Sequence, residues 1–355
     1  MKKKFYMDFL LFDGEPVPQQ THPLNPNWTG QAPGVGTYTE AQDLTPEMKT
    51  FWDRDLIKHA KPNLIHDQFG QKRPIPAGRG KTIEFRKYSK LPKALTPLTE
   101  GITPKGQNFS VTAITATVEQ FGAYIAMTDM LDLTAFDNNA KEVAQMLGEQ
   151  AGLTSDTITR DIIQAGTNVS FVGTGVTKRT DITTDSTLTV HDVKLAQRKL
   201  ARQNAPKIDG NYVAIVHPDT VLDLWEDPDW IEMNEYAGST KLFEGEVGKI
   251  FGVRFVETTE AKIWKDETCP VTEDEDIIPI YGTLVLGANA YGVTQINGKG
   301  IETIAKALGS GGTADPLNQR STIGWKLNKT AKILSQEFMV RVEHTTSLWE
   351  DADAN

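Results

Sequence analysis

The residues of this chain best suited to chemistry are few and badly spaced for it. Gly78-Arg79-Gly80-Lys81-Thr82 ends like a phosphate-binding loop, whose backbone amides and lysine would cradle a nucleotide. That motif needs a glycine five positions before the second one, and position 75 is Ile. Pro74 and Pro76 would also interrupt the run of amides. The six histidines (His22, His59, His66, His191, His217 and His344) form no metal-spaced pair, and Cys269 is the single cysteine, so no zinc site is expected. His217, directly before Pro218, reads as a strand-end residue and not as a base. Residues 272–276 (TEDED) lack the glycine and distal glutamate of a calcium loop and read as a solvated acidic turn. Gly-x-Ser-x-Gly is absent. No catalytic, cofactor or metal site is therefore expected. A soluble enzyme whose groups are scattered in sequence stays open.

Charge is distributed unevenly. Between Lys72 and Lys105 stand nine basic residues, among them Arg86, Lys87, Lys90, Lys93 and Lys105, against Glu84 and Glu100 only. That stretch carries a surplus of seven positive charges in a chain whose net charge is −10. Residues 219–240 hold seven acidic side chains and no Lys or Arg. A basic arm and an acidic body point to docking on a neighbouring subunit, steered by opposite charge. A ribbon kept soluble by its lysines, or one that binds DNA backbone, is the competing reading.

The elements that must position these residues begin with a long helix over 137–166. Ala140, Val143, Leu147, Ala151, Thr154, Ile158, Ile162 and Ala165 recur at steps of three and four, so Val143, Leu147, Ala151, Ile158 and Ile162 form its expected core face. Lys141, Glu142, Gln145, Glu149, Asp156, Arg160 and Asp161 fall mostly on the other side, with Asp156 and Arg160 as an i,i+4 pair. Gly148 and Gly152, each costing about 1 kcal/mol relative to Ala in a helix, suggest close packing there. Before this helix, Thr82–Tyr88 alternates and 109–127 is rich in β-branched and aromatic residues, which predicts a two-stranded arm with a proline-bearing polar tip. Such a ribbon is marginal alone in water and should lie on something else.

Residues 14–45 are rich in Pro and Gly and predict an extended arm or a disordered tail. Residues 45–60, with Met48, Phe51, Trp52 and Leu56, predict a short helix. Downstream, a helix from Thr189, a strand over 212–217, a helix from Pro218 carrying Val221, Leu222 and Trp225, and a strand over 253–257 make a compact α/β unit. Strands over 281–286, 291–296, 322–327 and 338–344 return to close the chain, with a glycine-rich loop at 309–312. The class is α+β.

Bulk composition, 39% hydrophobic and 24% charged over 355 residues, is that of a globular protein. No apolar run is long enough to span a membrane. The start, MKKKFYMDFLLFDGEP, has an apolar run broken by Asp8 and no small-residue cleavage site, so it does not read as a signal peptide. A single cysteine fits synthesis in a reducing cytoplasm.

Taken in order, extended arm, ribbon, long helix, α/β unit and returning strands resemble the tailed-phage major capsid fold of the Hong Kong type. Local wording narrows this. Phe69-Gly70-Gln71, residues 96–101 (TPLTEG), residues 147–151 (LGEQA) and residues 165–168 (AGTN) are similar to blocks of the major capsid family typified by N-four-like podophages, as is GEVGKIFGVRFVET at 245–258. The resemblance implies an N-terminal arm with a short helix (1–62), an E-loop β-ribbon (63–129), a P domain spine helix (130–170), an A domain (171–290) and returning strands of both domains (291–355). It implies a structural protein and not an enzyme, self-assembling as hexamers and pentamers into an icosahedral head. The expected partners are copies of itself, a separate scaffolding protein, a portal and decoration proteins. Genome DNA would be enclosed without sequence-specific binding, with no membrane and no cofactor. The protein would be made in the host cytoplasm and reside in the virion. An encapsulin-like cargo shell is the alternative on the same fold.

Overall fold

A computed structural model describes residues 65–355, apart from 77, 79, 90, 99, 104–105, 135–138, 238–245, 273–274, 296–299 and 313–314. The expected N-terminal arm and the helix expected over 45–60 lie outside the described residues, as do Lys90 and Lys105.

The strands are β1 (Gln71–Lys72), β2 (Thr82–Tyr88), β3 (Val111–Thr117) and β4 (Glu119–Thr128), followed by helices α1 (Asp129–Thr134) and α2 (Asn139–Gln164). Then come β5 (Val169–Phe171), α3 (Val190–Arg202), β6 (Tyr212–Val216), α4 (Pro218–Glu226), α5 (Pro228–Ala237), β7 (Glu246–Ile250), β8 (Val253–Glu257) and β9 (Ile263–Trp264). The chain closes through β10 (Ile280–Leu286), β11 (Tyr291–Gln295), β12 (Ile301–Lys306), β13 (Arg320–Ile333) and β14 (Met339–His344).

Two sheets share the load. In the first, the 14-residue β13 is central. It pairs with β4 along Arg320–Lys329, with β12 along Thr322–Leu327 and with β11 along Lys329–Ile333, all antiparallel, while β1 adds to β11 in parallel. Alternation on β4 and β13 turns Phe121, Ala123, Ile125, Met127, Ile323, Trp325 and Leu327 to one face, where Leu147 and Ala151 of α2 close a core. The second sheet runs β5-β14-β10-β6-β8-β7, with β9 paired to β10. Its inner strands β6 and β10 are buried along their whole length, as strands covered on both faces must be. One face carries α3, α4 and α5; the other meets Ile163 of α2 together with Tyr291, Val293 and Ala331. Thr189 caps α3 with a full capping box through Asp192.

Three expectations need correction. The run over 109–127 is not one ribbon strand. It breaks at Val118, whose amide bonds the Lys81 carbonyl, and β4 leaves the ribbon for β13. The strand expected over 322–327 extends to Ile333. On α4, Val221 and Leu224 are buried, whereas Leu222 and Trp225 face outward.

Candidate assembly interface

The ribbon is a separate two-stranded sheet of β2 and β3, in register from Thr82↔Thr117 to Tyr88↔Val111. Its base is held by Phe85, which is buried against Gly292 of β11. A Cβ at 292 would lie 2.8 Å from the Phe85 ring, so glycine is required for the contact. Beyond the base the ribbon loses cover. Tyr88 and Phe109 face each other across the strands at 6.4 Å between ring centres, and both are exposed. At the tip Leu95 and Leu98 are 81% and 77% exposed, with Leu91 and Ile102 also in solvent. Among the described residues nothing covers this apolar surface, and a two-stranded ribbon is marginal alone in water.

The ribbon's cations are placed as follows. Arg86 is exposed and donates to Glu84 at 2.8 Å; Lys87 is half-buried; Lys93 is exposed. The acidic counterpart is less free than its residue count suggests. Asp223 accepts from Ser347, Asp219 accepts from the Tyr281 hydroxyl at 2.7 Å, Asp227 accepts from the Val190 amide, and Asp229 pairs with Lys194 at 2.7 Å. Much of the acid run over 219–240 therefore serves internal bonds.

Of the expected core face on α2, Leu147 and Ala151 are buried, Val143 packs at the edge of the same cluster, Ile162 packs against the second sheet and Ile158 is half-buried. In the second half of the helix the buried line runs instead through Ser155, Thr159 and Ile163. Asp156 and Arg160, expected outside, are buried and do not pair with each other. The Arg160 guanidinium reaches Asp161 at 3.1 Å and the Glu260 carbonyl at 3.0 Å.

Asp156 belongs to a buried polar network that sequence reading missed. It accepts from the His66 amide at 2.8 Å and meets His66 Nδ1 at 2.5 Å. The next residue, Asp67, receives the fully buried Lys329 Nζ at 2.7 and 2.6 Å and the Thr159 hydroxyl at 2.6 Å. The Tyr291 hydroxyl donates to the His66 carbonyl, and burial pushes that phenol well above its ordinary range. Burial likewise pulls the Lys329 ammonium down, against the opposing pull of Asp67. These partners stand 90 to 262 residues apart in the chain. The one local signal was the pair of hydroxyl residues Ser155 and Thr159 interrupting the apolar line of α2.

A second network locks the end of α2 to the other sheet. Glu343 is buried and accepts from Arg179 at 2.7 Å and from Arg341 at 2.8 Å, and both guanidiniums lie over the Trp264 ring. Arg341 also donates to the Gln164 carbonyl at the helix C-terminus, where a cation is favoured. Neighbouring His344 is fully buried. Its Nδ1 donates to the Thr345 carbonyl at 2.8 Å, which leaves Nε2 to accept from the Thr283 hydroxyl at 2.9 Å. Burial foremost, and His217 further, lower its pKa to about 4. The unfolded imidazole takes a proton near pH 6.5 while the folded one does not, so this residue's contribution is complete above pH 6.5 and is lost as pH falls toward 4, about 3 kcal/mol in all. His344→Gln should therefore flatten the acid limb of stability in urea titrations between pH 7 and 4.5. Parallel acid limbs for parent and variant would refute this.

The side chains at the centre of these networks, His66, Asp156, Lys329, Glu343 and His344, are buried. Among the described residues no group of carboxylates, histidines or thiols could hold a metal ion, and no helix is long and apolar enough to cross a membrane. A family model described as phage capsid protein matches residues 111–328, well over half of the chain, from the second ribbon strand to the middle of β13. This chain belongs to the phage capsid protein family. Solved head structures share its fold. The capsid of Ralstonia phage GP4 superposes with a TM-score of 0.62 at 12% identity, covering 98% of this chain and 100% of that one. The cyanophage Pam1 capsid gives 0.59 at 13% identity, covering 95% and 100%. The capsid of cyanophage P-SCSP1u gives 0.57 at 14% identity, covering 90% and 92%. No curated protein matches the chain. The capsid protein is thus a structural subunit of a phage head shell with the Hong Kong type fold, and the shell is built from many copies.

Proposed function

We propose that copies of this capsid protein form hexamers and pentamers that close into an icosahedral head around the phage genome, each subunit laying its ribbon on the next. The reading assigns residues 1–62 to an N-terminal arm, 63–129 to the E-loop, 130–170 to the spine helix region, 171–290 to the A domain and 291–355 to the returning strands. It takes the chain to be non-enzymatic, made in the host cytoplasm, and assembled with a separate scaffolding protein, a portal and decoration proteins, within the N-four-like group. The observation that carries it is the ribbon: a two-stranded sheet whose apolar tip rests on nothing among the described residues. Arg86, Lys87, Lys90, Lys93 and Lys105 are the residues that would steer its contact with a neighbour.

Electron microscopy of the purified protein with its scaffold tests this directly. Closed shells built on six- and five-fold capsomers are expected, holding DNA when made in infected cells. Particles filled with protein cargo would move the chain to a cargo-shell role, and a stable monomer at high concentration would refute assembly.

A further inference from the structure

The ribbon joins the body through two legs. The first, residues 65–76, forms no regular pairing until β1, and a turn at 65–70 carries it past α2. The second is the short step from β3 through Val118 to β4. One residue touches both. Lys329 of β13 is the register partner of Glu119 at the start of β4, and its ammonium reaches across to Asp67 in the first leg. We propose that Lys329, acting through Asp67, is the positioning residue that sets the direction in which the ribbon leaves the subunit.

The geometry of the bonds argues for placement over mere adhesion. Lys329 Nζ is surrounded by both Asp67 oxygens, the Ser155 carbonyl at 2.6 Å and the Ser155 hydroxyl at 2.8 Å, so its three protons are fully engaged. Asp67 is fixed in turn by the Thr159 hydroxyl, and its neighbour His66 by Asp156 and Tyr291. A pair of apolar side chains in the same space would hold the legs together as firmly, since desolvating an ion pair offsets most of its attraction. Such a contact would be free to slide. A charged group with bonds in fixed directions admits one setting of the leg. Close approach completes the setting, because a Cβ at Gly70 would lie 2.5 Å from the Tyr291 ring.

The test separates direction from stability. In the full chain with Cys269→Ser, cysteines placed at the exposed positions Leu95 and Glu302 carry spin labels, and their distance is measured on unassembled subunits. The parent should give one narrow distance. Asp67→Asn with Lys329→Met, which keeps the volume and removes both charges, should give a broad or split distribution at an unchanged thermal midpoint. The same variant should then yield misshapen or open shells. A single narrow distance in the double variant overturns the proposal, and so does broadening that appears only together with a lowered midpoint. Should the double variant fail to fold, Lys329→Arg decides: a shifted or broadened distance at an unchanged midpoint supports the proposal, and an unchanged one overturns it. The shell readout alone rests on the assembly reading. The distance does not, so the two can fail separately.

Discussion

Leu147→Ala should lower the unfolding free energy of the subunit by about 2–5 kcal/mol, the cost of emptying a closed apolar site. Leu147 is 2% exposed and shares its cluster with Ala151, Met127, Trp325 and Leu327, so α2 and the central sheet meet on it. The neighbours on β13 are held by pairing on both sides and have little freedom to collapse into the gap. Ile158→Ala is the internal control. That side chain is half-buried and should cost clearly less. Leu147→Asp strands a charge in the same place and should leave no soluble subunit. Urea titrations of both alanine variants measure the difference. Equal losses at 147 and 158 would mean that the helix presents a different face to the sheet.

That pair also shows where periodicity stops informing. From Val143 to Ala151 the apolar line on α2 is continuous and its phase follows from the sequence. From Ser155 onward the buried line is polar, and a reader who follows apolar residues moves one position round the helix to Thr154, Ile158 and Ile162. Asp156 and Arg160 look like surface residues because each could neutralise the other as an i,i+4 pair on an exposed face. Their partners, His66 and Glu260, come from the ribbon's first leg and the loop before β9. The shortened estimate of β13 has the same origin. Asn328 and Lys329 appear to end an apolar strand, yet Lys329 is inside because Asp67 is there to receive it. Buried charge is legible only once its distant partner is known.

The ribbon divided differently. Its existence and its basic character were plain, because β-branched alternation and clustered lysines are local properties. The point at which it stops being a ribbon was not, since β3 and β4 differ in partner and hardly in composition. The acidic run over 219–240 is legible as a count, but the partners of its members within the chain are not. Asp219, Asp223, Asp227 and Asp229 face the Tyr281 hydroxyl, Ser347, the start of α3 and Lys194, so that among the described side chains of the run Glu226 and Glu232 are the exposed carboxylates outside those pairs. On the proposed docking, opposite charge would orient an approaching ribbon at a distance, and the hold itself would come from its apolar tip.

This division of labour shapes the largest assembly effect expected. Replacing Lys87, Lys90 and Lys93 together by Glu takes residues 72–105 from a surplus of seven positive charges to a surplus of one. Lys93 is exposed and Lys87 only half-buried, so the subunit should stay folded, with a thermal midpoint close to the parent's. Closure of shells should nonetheless fail, because steering is lost and the reversed side chains repel the net negative surface they must approach. Salt gives a matched check on the parent protein. Raising ionic strength to about 1 M shortens the screening length to about 3 Å and should slow closure without abolishing the apolar docking of Leu95 and Leu98. Salt alone cannot separate this from DNA binding, which is also salt-sensitive. Assembly in the absence of nucleic acid can. With scaffold present and nucleic acid removed, the triple variant should remain as small oligomers while the parent closes. If the variant instead closes normally there and loses only its hold on DNA, the lysines serve the packaged genome, and the docking of ribbon on neighbour rests on its leucines alone.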